Sequence, residues 1–172
     1  MSSLNIKYIT GNLLDSDAPI IAHQVNCEGV MGAGVAKCIR EKYFDIMITY
    51  SKWCKNYTTQ SLLGKVLDYF TDTNQIIVNC FAQAKTGSGR MTNYEAFYTC
   101  LENLKDEVDY YGDCYGFEHR IAFPYKIGCG LGGGDWEVIL AMIKSVFGRD
   151  GDYTIELWAI DGFGDDIHDS ES

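Results

Sequence analysis

Gly128-Cys129-Gly130-Leu131-Gly132-Gly133-Gly134-Asp135 decides the fold, because it stands between a short apolar run, Ile121–Pro124, and a helical pattern from Trp136 to Phe147. A second glycine-dense stretch, Gly29-Val30-Met31-Gly32-Ala33-Gly34, has the same setting. It follows the apolar run Ile20–Val25 and leads into a helical stretch from Val35 to Tyr43. Glycine leaves main-chain N–H groups uncovered by a Cβ, and a helix N-terminus adds free donors and partial positive charge. One such loop suits a phosphate. Two in one small chain suit a ligand with more than one anionic or polyhydroxyl segment, such as a nucleotide diphosphate sugar. The plain alternative is a pair of tight turns with glycine caps or close packing.

Outward from these loops, Asn5–Thr10 alternates as a strand and ends at Gly11-Asn12, and Ile20–Val25 reads as a more buried strand. Val35, Cys38, Ile39 and Tyr43 have helical spacing, and so do Met47, Tyr50 and Cys54 within Asp45 to Tyr57. Lys65–Phe70 and Gln75–Phe81 flank Asp72-Thr73-Asn74 as a hairpin. Tyr94, Phe97, Tyr98, Leu101, Leu104 and Val108 predict a long helix. Arg120–Pro124 and Tyr153–Ile160 predict strands, with the helix from Trp136 to Phe147 between them. About six strands interleaved with about four helices imply an α/β domain with helices on both faces of a mixed sheet. The expected domain is 1–161, followed by an acidic, disordered tail over 162–172.

The 172 residues fit one domain with an ordinary core. The net charge of −10 argues against a general nucleic-acid surface or a membrane surface, which clustered Lys and Arg would attract. Backbone amides must then supply most of the attraction for any anion. Seven cysteines, at 27, 38, 54, 80, 100, 114 and 129, lack the spacing of a zinc site and are odd in number for a disulfide framework. They read as small reduced hydrophobes. With no signal-peptide pattern and no apolar run of about 18 residues, the expected location is cytoplasmic and the expected state a monomer, with no cofactor and no metal.

Gly128-x-Gly130-x-x-Gly133 formally matches the dinucleotide fingerprint. That fingerprint belongs in a first βα turn, with an acidic strand end about 20 residues downstream. Here it falls near the end of the chain, and only one strand follows. A Walker Gly-Lys-Ser/Thr is absent.

Four segments taken in order carry a family resemblance: Ile9-Thr10-Gly11-Asn12-Leu13-Leu14, then Ala22-His23-Gln24-Val25-Asn26-Cys27-Glu28-Gly29 through Ala36, then Asn93-Tyr94-Glu95-Ala96, then Pro124-Tyr125-Lys126-Ile127 through Trp136. From about residue 5 to 160 the chain resembles macro domains, most closely the branch that processes ADP-ribose 1″-phosphate. The resemblance implies a three-layer α/β/α fold with ADP-ribose in a cleft at the strand ends. The first loop, with Gly32, Ala33, Gly34 and Val35, would border the distal ribose, and Asn26 would bond its hydroxyls. The second loop, Ile127, Gly128, Cys129, Gly130, Leu131, Gly132 and Gly133, would cradle the diphosphate. Adenine would lie near Asn12 and Leu13, with Asn12 standing where many macro domains have an Asp. An aromatic near the last strand, Trp158 or Phe163, would pack on it, unless Trp158 belongs to the core.

His23 has a suitable intrinsic pKa for acid or base work. It shares a side with Asn26 only if its strand ends by about Val25; otherwise it packs under the sheet. Asp135 either activates a water or caps the last helix. The related hydrolases that release ADP-ribose from carboxylates or DNA bases use a strand lysine and an acid after Gly-Cys-Gly-Leu. Here that strand is Val78-Asn79-Cys80-Phe81-Ala82-Gln83, and the acid position is Gly132. Lys85 reaches the site only if its loop folds back. The expected activity is therefore binding of ADP-ribose and hydrolysis of its 1″-phosphate, with His23, Asn26 and Asp135 as catalytic candidates. A non-catalytic ADP-ribose reader and a hydrolase removing ADP-ribose from protein or nucleic acid are the alternatives.

Overall fold

The computed structural model describes residues 2–164. The strands are β1 (Ser3–Thr10), β2 (Ile20–Asn26), β3 (Val66–Phe70), β4 (Ile76–Gln83), β5 (Arg120–Pro124) and β6 (Asp152–Ala159). The helices are α1 (Gly34–Lys42), α2 (Ile46–Asn56), α3 (Thr59–Leu62), α4 (Tyr94–Tyr115) and α5 (Trp136–Gly148). One six-stranded sheet has the order β1-β6-β5-β2-β4-β3. Every pairing is parallel except β3 with β4, so the sheet is mixed, as expected.

Successive residues of the central strands serve opposite layers. Ile20, Ala22, Ile76 and Val78 pack with Phe97, Leu104, Ile143 and Phe147 of α4 and α5. Ile21, Val25, Ile77 and Phe81 pack with Ile39, Tyr50 and Leu62 of α1, α2 and α3. Strands buried on both faces are continuous apolar runs rather than alternating ones, which is why Ile20–Val25 lacks a polar stripe. The result is the expected three-layer α/β/α architecture.

The hairpin closes through Thr71 and Gln75, whose N–H···O bond is 2.9 Å, with Asn74 in the left-handed region at φ 62°. The helix α4 continues past Val108 to Tyr115 and stops at Gly116, which has φ 72°. The short helix α3, absent from the sequence reading, is started by Thr58, whose Oγ1 accepts from the Ser61 amide at 3.1 Å. It is one turn long and offers too little periodicity to be read in advance.

Residues 162–164 of the stretch expected to be disordered are among the described residues. Phe163 packs edge-on against Tyr8 and Tyr125, at ring separations of 5.4 and 4.8 Å. The rest of that expected tail, 165–172, lies outside the described residues. Among the described residues no helix is long and apolar enough to cross a membrane.

Candidate functional site

β2 and β5 pair only at Ile20 with Ile121 and Ile21 with Ala122, where the ladder between them stops. Beyond that point a cleft of about 390 Å³ opens between the carboxyl ends of the strands. Such a split in an open parallel sheet is where α/β folds place ligands. Its walls include His23 to Asn26 of β2, Gly32 to Ala36 at the head of α1, and Pro124 to Gly132 with the exception of Cys129.

The first glycine loop is shaped by Asn26. The Asn26 Oδ1 accepts from the amides of Glu28 at 3.0 Å and Val30 at 3.3 Å, and Nδ2 donates to the Val30 carbonyl at 2.8 Å. The buried Tyr50 hydroxyl of α2 lies 2.7 Å from the Asn26 carbonyl and 2.9 Å from Oδ1. This side chain is therefore a scaffold of the loop, and it also lines the cleft. At the head of α1, Ala33 supplies no side-chain cap, so the first-turn amides have no side chain competing for them.

The second loop is braced from below. The amides of Met91 and Thr92 both donate to the Gly132 carbonyl, at 2.7 and 2.9 Å, and Thr92 Oγ1 donates to the Gly128 carbonyl at 2.7 Å. Gln24 Nε2 donates to Thr92 Oγ1 at 2.9 Å and to Gln83 Oε1 at 3.1 Å. Gly132 is obligatory: a Cβ there would lie 2.5 Å from Thr92 Oγ1 and 2.7 Å from the Gly128 carbonyl oxygen. Gly130, by contrast, has open space where its Cβ would stand. Gly32, Ala33, Gly34, Val35, Ile127, Gly128, Gly130, Leu131 and Gly132 line the cleft. Cys129 and Gly133 do not. Cys129 turns toward the core behind the loop, where burial pushes its thiol up to about 11. Gly133 backs onto Gly89 of the neighbouring segment.

Of the two readings of Asp135, the structure shows the helix cap. Its Oδ1 accepts from the Glu137 amide at 2.9 Å as the N-cap of α5, and it lies outside the cleft lining. Asn12 and Leu13 also lie outside that lining. Asn12 Oδ1 accepts from the Leu14 amide at 2.9 Å to start the 3-10 turn Leu13–Asp15, and Leu13 is buried in the core. Trp158 packs with the same core, its Nε1 donating to Glu156 at 2.9 Å, whereas Tyr125, which Phe163 touches, does line the cleft.

His23 faces the α1–α2 layer, on the side of Ile21 and Val25. It is 1% exposed, and its Nε2 lies 2.6 Å from Asn79 Oδ1. Burial pulls its pKa down to about 4 against the opposing effect of Asn79. The strand does not end at Val25. Instead its register with β4 shifts between Val25 and Asn26, leaving Ala82 unmatched, and Asn26 reaches Tyr50 in the same layer.

Of the region at the end of β4 the sequence singled out only Lys85, and the lining residues beside it were not anticipated. Gln83, Thr86 and Gly87 line the cleft, and Glu28 Oε2 accepts from the Thr86 amide at 3.0 Å and its hydroxyl at 2.8 Å. The Thr86 amide, its hydroxyl and the nearby Lys85 charge hold the Glu28 carboxyl below its ordinary range, against desolvation. The Gly87 and Gly89 punctuation was the available signal, since it marks a loop long enough to fold back.

The sequence pattern of the family described as Macro domain matches residues 22–143, well over half of the chain. The chain belongs to the macro domain family. It is 29% identical over 149 residues to the DNA ADP-ribosyl glycohydrolase of Mycobacterium tuberculosis, covering 83% of this chain and 38% of that protein. The chain thus spans well under half the length of that relative. It is 26% identical over 141 residues to the ADP-ribose 1″-phosphate phosphatase of Candida albicans, covering 77% of this chain and 87% of that protein. Among solved structures, Thermosipho africanus DarTG in complex with ADP-ribose superposes with a TM-score of 0.74 at 19% identity. That match covers 97% of this chain and 44% of the other, and shows the shared macro domain fold.

Proposed function

We propose that this macro domain binds ADP-ribose and hydrolyses ADP-ribose 1″-phosphate to ADP-ribose and phosphate. The observation that carries the reading is the pair of glycine loops facing each other across the gap between β2 and β5, with Gly128 to Gly132 braced by Thr92. Main-chain amides there can hold a diphosphate although the chain's net charge is −10. The C. albicans relative is named for this reaction.

In this reading the cleft holds the terminal phosphate with amides, and His23 takes a proton from the attacking water. The water oxygen bonds phosphorus, the bond from phosphorus to O1″ breaks, and O1″ leaves with the electron pair and takes a proton from solvent. Calorimetric titration with ADP-ribose, with NAD and AMP as controls, tests the binding, and phosphate release from ADP-ribose 1″-phosphate tests the chemistry. Binding without release leaves a reader. No binding ends the proposal.

One observation favours a second reading, release of ADP-ribose from nucleic acid, the activity for which the M. tuberculosis relative is named. The segment carrying Lys85 does fold back, since its neighbours Thr86 and Gly87 line the cleft. Under that reading Lys85→Ala abolishes release of ADP-ribose from modified DNA. Unchanged release in the variant removes the lysine mechanism.

A further inference from the structure

The hydrogen-bond chain behind His23 fixes which of its nitrogens carries the proton. At its far end, the carbonyl of Leu67 in β3 is an acceptor and nothing else. Asn79 Nδ2 donates to it at 3.0 Å, which settles the orientation of the Asn79 amide. Asn79 Oδ1 therefore faces His23 Nε2 at 2.6 Å, and an amide oxygen can only accept. His23 Nε2 must be the donor. In a neutral imidazole the other nitrogen is then bare.

That other nitrogen, Nδ1, is buried without a hydrogen-bond partner among the described residues. A buried acceptor without a donor is rare and calls for an explanation, which at a functional site is a water or ligand hydroxyl. His23 is one of the residues walling the cleft, beside the point where β2 and β5 cease to pair. We infer that Asn79 is a positioning residue, which locks His23 as the Nε2–H tautomer and leaves Nδ1 bare, a buried proton acceptor on a residue that walls the cleft. The inference rests on the proposed use of this cleft for an ADP-ribosyl ligand and sharpens it. His23 serves as a base and not as an acid, and a residue remote from the glycine loops makes it so. Among the described residues, burial and Asn79 are the influences on its titration, and no charged side chain takes part.

Nitrogen-15 NMR of the full chain near neutral pH, with His23 assigned through His23→Gln, reads the tautomer directly. The expected spectrum has a protonated Nε2 and a bare Nδ1, and the Nδ1 signal moves when ADP-ribose is added. A proton on Nδ1, or an imidazolium, in the free protein overturns the inference. So does an Nδ1 signal indifferent to ADP-ribose that calorimetry shows to be bound. Absence of calorimetric binding would instead remove the functional reading, while the tautomer is still read from the free protein.

Two variants test the positioning role. Asn79→Leu removes the acceptor and should lower kcat for phosphate release at least about 10-fold, with KM held within about 2-fold. Asn79→Asp keeps an acceptor and adds charge, so it should retain the tautomer and carry the acid limb of kcat/KM to higher pH. An acid limb unmoved in both variants overturns the assignment.

Discussion

The Glu28 carboxylate accepts two hydrogen bonds from Thr86, one from the amide at 3.0 Å and one from the hydroxyl at 2.8 Å. These bonds tie the first glycine loop to the segment that follows β4. The same segment grips the second glycine loop through Met91 and Thr92. One stretch of about ten residues thus sets the spacing of both walls. Thr86→Val keeps the amide bond and loses the hydroxyl bond. It should weaken ADP-ribose binding a few-fold in calorimetry while melting temperature stays within about 2 °C, as expected for an exposed contact. Unchanged affinity would show that the tie does not set the cleft.

Thr92 is buried, and its hydroxyl serves both Gly128 and Gln24. Thr92→Val preserves shape and removes both hydroxyl bonds, at about 1 kcal/mol each, while Gly128 keeps the Gly134 amide and Gln24 keeps Gln83. Denaturant unfolding should show that loss, and the relaxed second loop should bind ADP-ribose more weakly.

Gly130→Glu places bulk and negative charge where the second loop has open space. It should abolish ADP-ribose binding in calorimetry with little change in melting temperature. Retained affinity would mean that this loop has no ligand to hold.

Glu156 is nearly buried in the sheet between Arg120 Nη1 at 2.8 Å, Ser16 Oγ at 2.7 Å and Trp158 Nε1 at 2.9 Å. Desolvation raises its pKa, but these bonds outweigh it and leave the carboxyl below the ordinary range. Arg120→Met leaves this charge uncompensated and should destabilise the fold by about 3 kcal/mol in denaturant unfolding. Because the folded pKa is depressed, the stabilisation is complete above the ordinary glutamate range and fades as pH falls below it.

Glu107 on α4 and Asp68 on β3 bring two carboxyl groups together, with Tyr111 donating to Asp68 Oδ2 at 2.6 Å. Desolvation, followed by the hydrogen bond and charge of Asp68, pushes Glu107 up to about 9. The folded state therefore holds a proton that the unfolded chain releases near 4.5. Stability from this pair is complete below that value and declines as pH rises toward about 9. Glu107→Gln should flatten the decline in midpoint denaturant concentration between neutral and alkaline pH. A wild-type midpoint that rises over that range would contradict the pairing.

The sequence by itself determined the order of the strands and of the longer helices, the two glycine loops and the family resemblance. Those features are written locally, in apolar period, in glycine placement and in short motifs. Asp135 shows the limit of local reading, because a cap and a catalytic acid look alike until the cleft is located. That Asn26 braces its own loop became visible only with Tyr50, which approaches from another helix. Tertiary structure alone also joined Thr86 to Glu28 and Asn79 to His23, pairs 58 and 56 residues apart. No periodicity encodes such contacts, since they exist only once the strands have paired and their ends have come together.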